Sequence, residues 1–186
     1  MTSDFEVRLA TEREVHAVQE LDSASREDGF QHYNKLFRIY PEGTLVAIDK
    51  DTVAGYIGTE RLNSKDLEVG TSSNFKRSMP PWDHDPATYH RPDGNVLYIL
   101  GHAVLPDYRE FGVSHKLITD FLSRAKRDES IDQVAVIYNS RHPALRDPLK
   151  FWGGYGFAPL LDTYDPKWKH AADKSVDGGI IWARNV

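Results

Sequence analysis

The sequence has no cysteine among its 186 residues. Disulfide bonds, thiolate metal sites and a cysteine-linked acyl intermediate are therefore excluded. The chain also lacks a charged and then apolar leader pattern, and no apolar stretch approaches the roughly 20 residues of a membrane span. These absences lead us to expect a cytoplasmic protein that does not enter a membrane.

Clustered basic residues are missing as well. The chain carries 23 Lys and Arg residues against 28 Asp and Glu residues, which gives a formal net charge of −5 at pH 7. Nucleic-acid binding by phosphate neutralisation needs a basic patch, so we do not expect a nucleic-acid partner. The length corresponds to one domain, and we predict a single domain over residues 1–186 with a sizeable core.

The most informative segment, residues 104–114, lies between a strand pattern and a helix pattern. Residues 96–100 are apolar, β-branched or aromatic, which predicts a buried strand that continues to Val104. Downstream, apolar residues recur at helical spacing: Val113, Leu117, Ile118, Phe121, Leu122 and Ala125. Gly112 permits a tight turn between the two, and the N–H groups of the helix start carry roughly half a positive charge of helix dipole. This arrangement predicts a phosphate or pyrophosphate site.

The segment lacks the features of two common phosphate loops. It has neither the Gly-Lys-Ser/Thr ending of an NTPase loop nor the three glycines of a dinucleotide fold. What remains, Val-x-Pro-x-x-Arg-x-x-Gly-x-Ser over residues 104–114, resembles the pyrophosphate loop of the GNAT-type N-acetyltransferases. Glu110 and Phe111 depart from the small or basic residues usual there, and Ser114 stands where Gly or Ala is more frequent. The alternative is a plain strand-to-helix turn that binds nothing.

The remaining patterns predict an order of elements along the chain. Thr11-x-x-Glu14 is a capping-box pattern, and Asp147-Pro148 supplies an N-cap followed by proline, so both mark helix starts. The predicted strands cover residues 5–9, 43–48, 53–59, 96–104, 133–138, 157–161 and 179–183, and the predicted helices begin near residues 11, 30, 113 and 148. This order is similar to that of the GNAT fold. The resemblance implies an α/β (α+β) fold whose central, mixed, mostly antiparallel sheet splays between strands 4 and 5, with helices on both faces.

A second motif, Phe151-Trp152-x-x-x-Gly156-Phe157, resembles the aromatic pair and Gly-Phe of the same family. In that family the helix carrying the pair lies against the pantetheine of the cofactor. Many members have a Tyr there as general acid for the departing CoA thiolate, whereas this chain has Trp152, whose indole N–H donates a hydrogen bond without giving up its proton. The resemblance then leaves water or Tyr155 to protonate the thiolate. The alternative is that both aromatics only pack in the core.

The resemblance implies that acetyl-CoA binds in the splay between strands 4 and 5. Main-chain groups of Ala103 and Val104 would contact its pantetheine arm, beside Trp152. The residues that would cradle its pyrophosphate are Arg109, Glu110, Phe111, Gly112, Val113 and Ser114. Asn139 would close the far side from strand 5, or it is only a turn residue that ends that strand.

An amine acceptor must lose a proton before it attacks a thioester, because a free alkylamine has a pKa of roughly 10. Side chains alternate along a strand, so Tyr98, Leu100, His102 and Val104 are expected on one face, where the related enzymes place carboxylate or histidine bases. His102, with an unperturbed pKa of roughly 6.5, is the predicted general base with Tyr98 beside it, or it is a core histidine. Glu60, near the end of the third strand, is the rival base or a solvated strand-end charge.

A long insertion at about residues 63–95, between strands 3 and 4, is expected to set the choice of acceptor, because long ordered loops tend to be functional. Trp82 and His84 are candidates to line an acceptor cavity, with Trp82 as an aromatic wall for a cationic amine. No strand or helix spacing aims the histidines and carboxylates of this segment together, so we do not expect a metal site. Disorder of the segment is the alternative.

Together these features predict an N-acetyltransferase that transfers an acetyl group from acetyl-CoA to a small-molecule amine by direct attack in a ternary complex. Transfer of a different acyl group and a non-catalytic acyl-CoA-binding module are the alternatives. The resemblance also makes a homodimer a candidate assembly, because dimerisation through the C-terminal strands is common in the family.

Overall fold

The structure, a computed structural model, describes residues 5–25, 32–66, 84–139, 148–159 and 179–186. Its strands are β1 (Glu6–Leu9), β2 (Thr44–Asp49), β3 (Thr52–Leu62), β4 (Val96–Val104), β5 (Gln133–Asn139), β6 (Ala158–Pro159) and β7 (Gly179–Asn185). Its helices are α1 (Glu12–Ser25), α2 (Tyr33–Ile39), α3 (Pro86–Tyr89), α4 (Val113–Ala125) and α5 (Pro148–Gly153). Within these ranges, no helix has the length and apolar character needed to cross a membrane. Of the predicted strand 157–161, residues 158–159 form β6, and residues 160–161 lie outside the described residues.

The strands form one seven-stranded sheet in the order β1-β2-β3-β4-β5-β7-β6. The pair β4–β5 is parallel, and the other neighbouring pairs are antiparallel. Pairing between β4 and β5 runs only from Val96 with Gln133 to Ile99 with Val136, although both strands continue. The sheet therefore splays at this point, which confirms the predicted fold class.

Helices cover both faces of the sheet, because alternate strand residues are apolar on both sides. On one face, α4 buries Val113, Leu117 and Ile118 against β2 and β3, together with Trp152 of α5. We call this the α4 face. On the other face, Val15 and Val18 of α1 and Leu36 of α2 pack on Val46 and Tyr56. We call this the α1 face.

A β-bulge in β4 changes the direction in which its side chains point. Gly101 pairs with Gly58 and Ile99 pairs with Thr59, so the register shifts by one residue and Leu100 is the extra residue of the bulge. Tyr98 and Leu100 pack on the α1 face, whereas Val104 belongs to the α4 face. The prediction that Tyr98 and His102 share a face is therefore wrong, because strict alternation holds only in a strand without a bulge.

The bulge lies against a buried polar network that the sequence analysis missed. Tyr33 Oη donates to Tyr56 Oη at 3.3 Å, and the Tyr56 hydroxyl donates to the carboxylate of Asp22, which is fully buried. A Cβ at Gly101 would overlap the hydroxyl oxygens of Tyr33 and Tyr56. The network thus requires glycine at residue 101 and holds the bulge at the point where the sheet splays.

We expect Gly101→Ala to lower the free energy of unfolding by about 1–3 kcal/mol, because the added methyl group overpacks this network. Chemical denaturation measures the change. Gly153→Ala is the matched control, since a Cβ there meets nothing within 4 Å, and it should be neutral or slightly stabilising. Equal stability of the two variants would contradict the proposed contact.

Candidate active site

The loop after β4 leaves open space next to a left-handed glycine. Residues Pro106–Phe111 form a 3-10 helix, and Gly112 follows with φ of 77° before α4 begins at Val113. A Cβ at Gly112 would meet no heavy atom within 4 Å. The first N–H groups of α4 have no carbonyl partner within the helix, so this helix start can bind an anion.

Contacts from neighbouring strands hold the loop in place. Leu105 N donates to Ala54 O at 2.9 Å, and Tyr108 Oη donates to the Asp49 carboxylate at 3.0 Å. Arg109 Nε donates to Val104 O at 3.3 Å while its side chain remains exposed. The guanidinium therefore lies beside the end of β4, where its remaining N–H groups can reach an anion at Gly112.

The splay leaves one edge of β4 without a strand neighbour next to this loop. Ala103 and Val104 lie beyond Ile99, the last residue of β4 that pairs with β5. Across the gap, Asn139 ends β5 and pairs with Gly179 of β7; its side chain lies outside the described part of the structure. The edge of β4 that faces away from β3 can accept an extended ligand as a strand neighbour beyond Ile99.

On the α4 face, four predicted site residues come together. His102 Nε2 lies 3.2 Å from Ser114 Oγ, and its ring centroid is 6.3 Å from that of Trp152. Burial lowers the pKa of His102 from its ordinary 6.5 to about 4. Trp152 is buried, and its Nε1 has no hydrogen-bond partner among the residues that the structure describes. Tyr155 Oη lies 3.1 Å from His115 Nδ1, and burial raises the pKa of Tyr155.

On the α1 face, three other predicted residues come together. Glu60 and Tyr98 are direct cross-strand partners, and Glu60 Oε1 lies 2.5 Å from His84 Nε2. Burial raises the pKa of Glu60, although His84 and the charge of Arg91 act in the opposite direction. Glu60 is fully buried, so the alternative of a solvated strand-end charge is wrong. Trp82 lies outside the described residues.

His102 and Glu60 lie on opposite faces of the sheet. His102 contacts Ser114 of α4 and faces Trp152, whereas Glu60 is the cross-strand partner of Tyr98, which packs on the α1 face. The sequence contains no local signal for the Glu60–His84 contact, because the two residues are 24 positions apart. The predicted base and its rival therefore belong to different environments.

Residues 9–147 match the model of the acetyltransferase (GNAT) family. These residues make up more than half of the chain. The chain belongs to this family. At the level of sequence, no curated protein matches it significantly.

Solved structures show the same fold at low sequence identity. The loading GNATL domain of CurA from Lyngbya majuscula has a TM-score of 0.70 at 18% identity, covering 97% of each chain. The GphF GNAT-like decarboxylase in complex with isobutyryl-CoA has a TM-score of 0.70 at 19% identity, covering 97% of this chain and 98% of that one. The NatC complex bound to Gag peptide and CoA has a TM-score of 0.63 at 16% identity, covering 98% of each chain.

We expect acid to destabilise the protein partly through His102. Because the pKa of His102 is about 4 in the fold and near 6.5 when unfolded, the unfolded chain binds this proton more tightly. The stability from this group is complete above pH 6.5 and is lost as the pH falls through about 4, by at most about 3 kcal/mol. Chemical denaturation of the wild type and of His102→Gln across this range measures the effect. Parallel stability curves for the two proteins would contradict it.

Proposed function

We propose that this protein is an acetyl-CoA-dependent N-acetyltransferase that acts on a small amine by direct transfer in a ternary complex. The observation that carries the proposal is the open space at Gly112, between the splayed end of β4 and the start of α4. That space has the backbone donors and the positive end of a helix dipole that a pyrophosphate needs. Family membership supports the same reading, and two of the similar structures contain CoA or an acyl-CoA.

The residues present fit the cofactor. Backbone N–H groups from Arg109 to Ser114 would hold the pyrophosphate, and the edge of β4 at Ala103 and Val104, which does not pair with β5, would hold the pantetheine amides. Trp152 fits as a donor, because its buried Nε1 lacks a partner within the described residues and a buried unpaired N–H is costly. When bound, acetyl-CoA supplies a thioester whose carbonyl carbon an amine can attack.

The proposed reaction requires two proton transfers. The acceptor must lose one proton before it attacks, and the departing thiolate takes one up. Burial raises the pKa of Tyr155, so its hydroxyl stays protonated at neutral pH, and it is the protein group proposed to donate a proton to the leaving thiolate. Because the chain has no cysteine, a covalent acyl-cysteine intermediate cannot form.

The C-terminal part of the insertion between β3 and β4 is anchored next to the α1 face. Lys35 of α2 forms an ion pair with Asp85, and Arg61 N donates to His90 Nδ1 at 3.4 Å. These contacts support a role for the segment in shaping the acceptor site, as the sequence analysis expected.

A second candidate is an acyl-CoA-binding module, or a transferase of another acyl group, with the same loop. Trp152 favours it, because an indole cannot protonate a thiolate at neutral pH. Calorimetry with acetyl-CoA and other acyl-CoAs, followed by thiol release over a panel of amines, separates the candidates. Binding of an acyl-CoA without amine-dependent thiol release would support the acyl-CoA-binding module. If no acyl-CoA binds, the segment around Gly112 is only a strand-to-helix turn.

We expect Gly112→Val to abolish acetyl-CoA binding, because its side chain would fill the space where phosphate approaches the backbone. Calorimetry measures the affinity. Gly112→Asn separates this effect from backbone strain, because Asn tolerates a left-handed φ and still fills the space. Unchanged affinity in both variants would remove the loop from the cofactor site.

We expect Trp152→Phe to weaken acetyl-CoA affinity by roughly 3- to 10-fold, the value of one hydrogen bond. Without cofactor, the variant should melt at the same temperature or higher, because it removes a buried donor that has no partner among the described residues. Lower affinity together with unchanged apo stability therefore identifies a ligand contact. A loss of apo stability with unchanged affinity would mean that Trp152 only packs.

A further inference from the structure

A cavity of about 220 Å³ lies at the opposite end of α4 from the cofactor loop. Phe121 and Arg124 of α4 line it. Because Arg124 is 11 residues after Val113, the start of α4, it lies roughly 16 Å along the helix axis from the loop. None of the residues from Ala103 to Ser114 lines the cavity. It is therefore a site separate from the one proposed for the cofactor.

The inner wall of this cavity is apolar. It is formed by residues from three strands and from α4: Leu9, Leu45, Leu97 and Phe121. Leu45, Leu97 and Phe121 belong to the buried core of the α4 face. The volume holds roughly seven waters at roughly 30 Å³ each, and one small apolar group can replace that water favourably. The cavity thus has the size and the lining for an aliphatic side chain.

The rim of the cavity carries two opposite charges that do not pair with each other. The side chains of Glu42 and Arg124 are exposed, and neither forms an ion pair or a hydrogen bond within the described part of the chain. The third charged group on the rim, Asp128, is already bound by Arg61 at 3.6 Å and by Ser130 N at 3.1 Å. One carboxylate and one guanidinium therefore remain for a ligand.

Tyr40 adds a hydroxyl to the same cavity. Its ring packs against that of His90 at a centroid distance of 4.9 Å, and its hydroxyl has no hydrogen-bond partner among the residues described. Burial raises the pKa of Tyr40 to about 12, against the charge of Arg61. The hydroxyl therefore stays protonated at neutral pH and can donate a hydrogen bond to a ligand oxygen.

We propose that this cavity binds a small α-amino acid with an apolar side chain. The side chain would cover the apolar inner wall, the carboxylate would pair with Arg124, and the ammonium group would pair with Glu42. A ligand with a single charge would leave one of these two groups without a partner, so a zwitterion complements the rim better. The proposal does not depend on the transferase activity, because the site shares no residue with the cofactor loop.

Three probes of similar shape test the two charged contacts separately: L-leucine, isopentylamine, which lacks the carboxylate, and isocaproate, which lacks the ammonium group. In calorimetry, the wild type should bind L-leucine roughly 10-fold more tightly than either analogue, because each analogue loses one charged hydrogen bond. Arg124→Gln should weaken L-leucine by a similar factor and leave isopentylamine unchanged within about twofold. Glu42→Gln should weaken L-leucine in the same way and leave isocaproate unchanged.

Arg127→Gln and Glu129→Gln are the matched controls. They remove the same two charges from exposed positions just after α4 that do not line the cavity. Both should bind all three probes as the wild type does. Thermal unfolding of each variant without ligand checks that Glu42→Gln and Arg124→Gln keep the fold, which we expect because both side chains are exposed.

Competition separates this cavity from the cofactor site and from an acceptor site. L-leucine should bind with the same affinity to the free protein, to protein saturated with CoA and to Gly112→Val. Equal binding of L-leucine to the wild type, Glu42→Gln and Arg124→Gln would overturn the proposal, because the amino acid would then bind elsewhere. Displacement of L-leucine by CoA, or no measurable binding to the folded wild type, would also overturn it. Neither result bears on whether the protein transfers an acetyl group.

Discussion

The loss of backbone pairing between β4 and β5 after Ile99 and Val136 is the constraint on which the rest of the structure depends. Unpaired strand amides need partners, and a sheet interior offers none. An extended ligand with amide groups can replace the missing strand neighbour. The start of α4 and the left-handed Gly112 lie at the same end of β4, so one ligand can satisfy the strand edge and the helix start together.

The bulge at Leu100 places the side chains of Tyr98 and His102 on opposite faces of the sheet. Without it, Tyr98 and His102 would point the same way; with it, His102 faces Trp152 while Tyr98 faces Glu60. The fully buried Asp22 and its two tyrosines hold this bulge from the α1 face. The predicted base and its rival therefore lie on opposite sides of a sheet that opens between β4 and β5.

Burial acts on both titratable candidates by favouring their neutral forms. It lowers the pKa of His102 and raises that of Glu60. Both shifts have the same physical cause, because removal from water disfavours the charged form of either group.

The sequence alone determined the order of the strands and of every described helix except α3, because hydrophobic periodicity and turn residues such as Gly112 act over a few neighbouring positions. It also identified the family through residues 104–114 and 151–157, whose spacing is local. Only the tertiary structure decided the bulge in β4, the burial of Asp22 and the contact of Glu60 with His84. These depend on strand register and on residues distant in sequence, and a slip of one residue reverses the face of every side chain that follows.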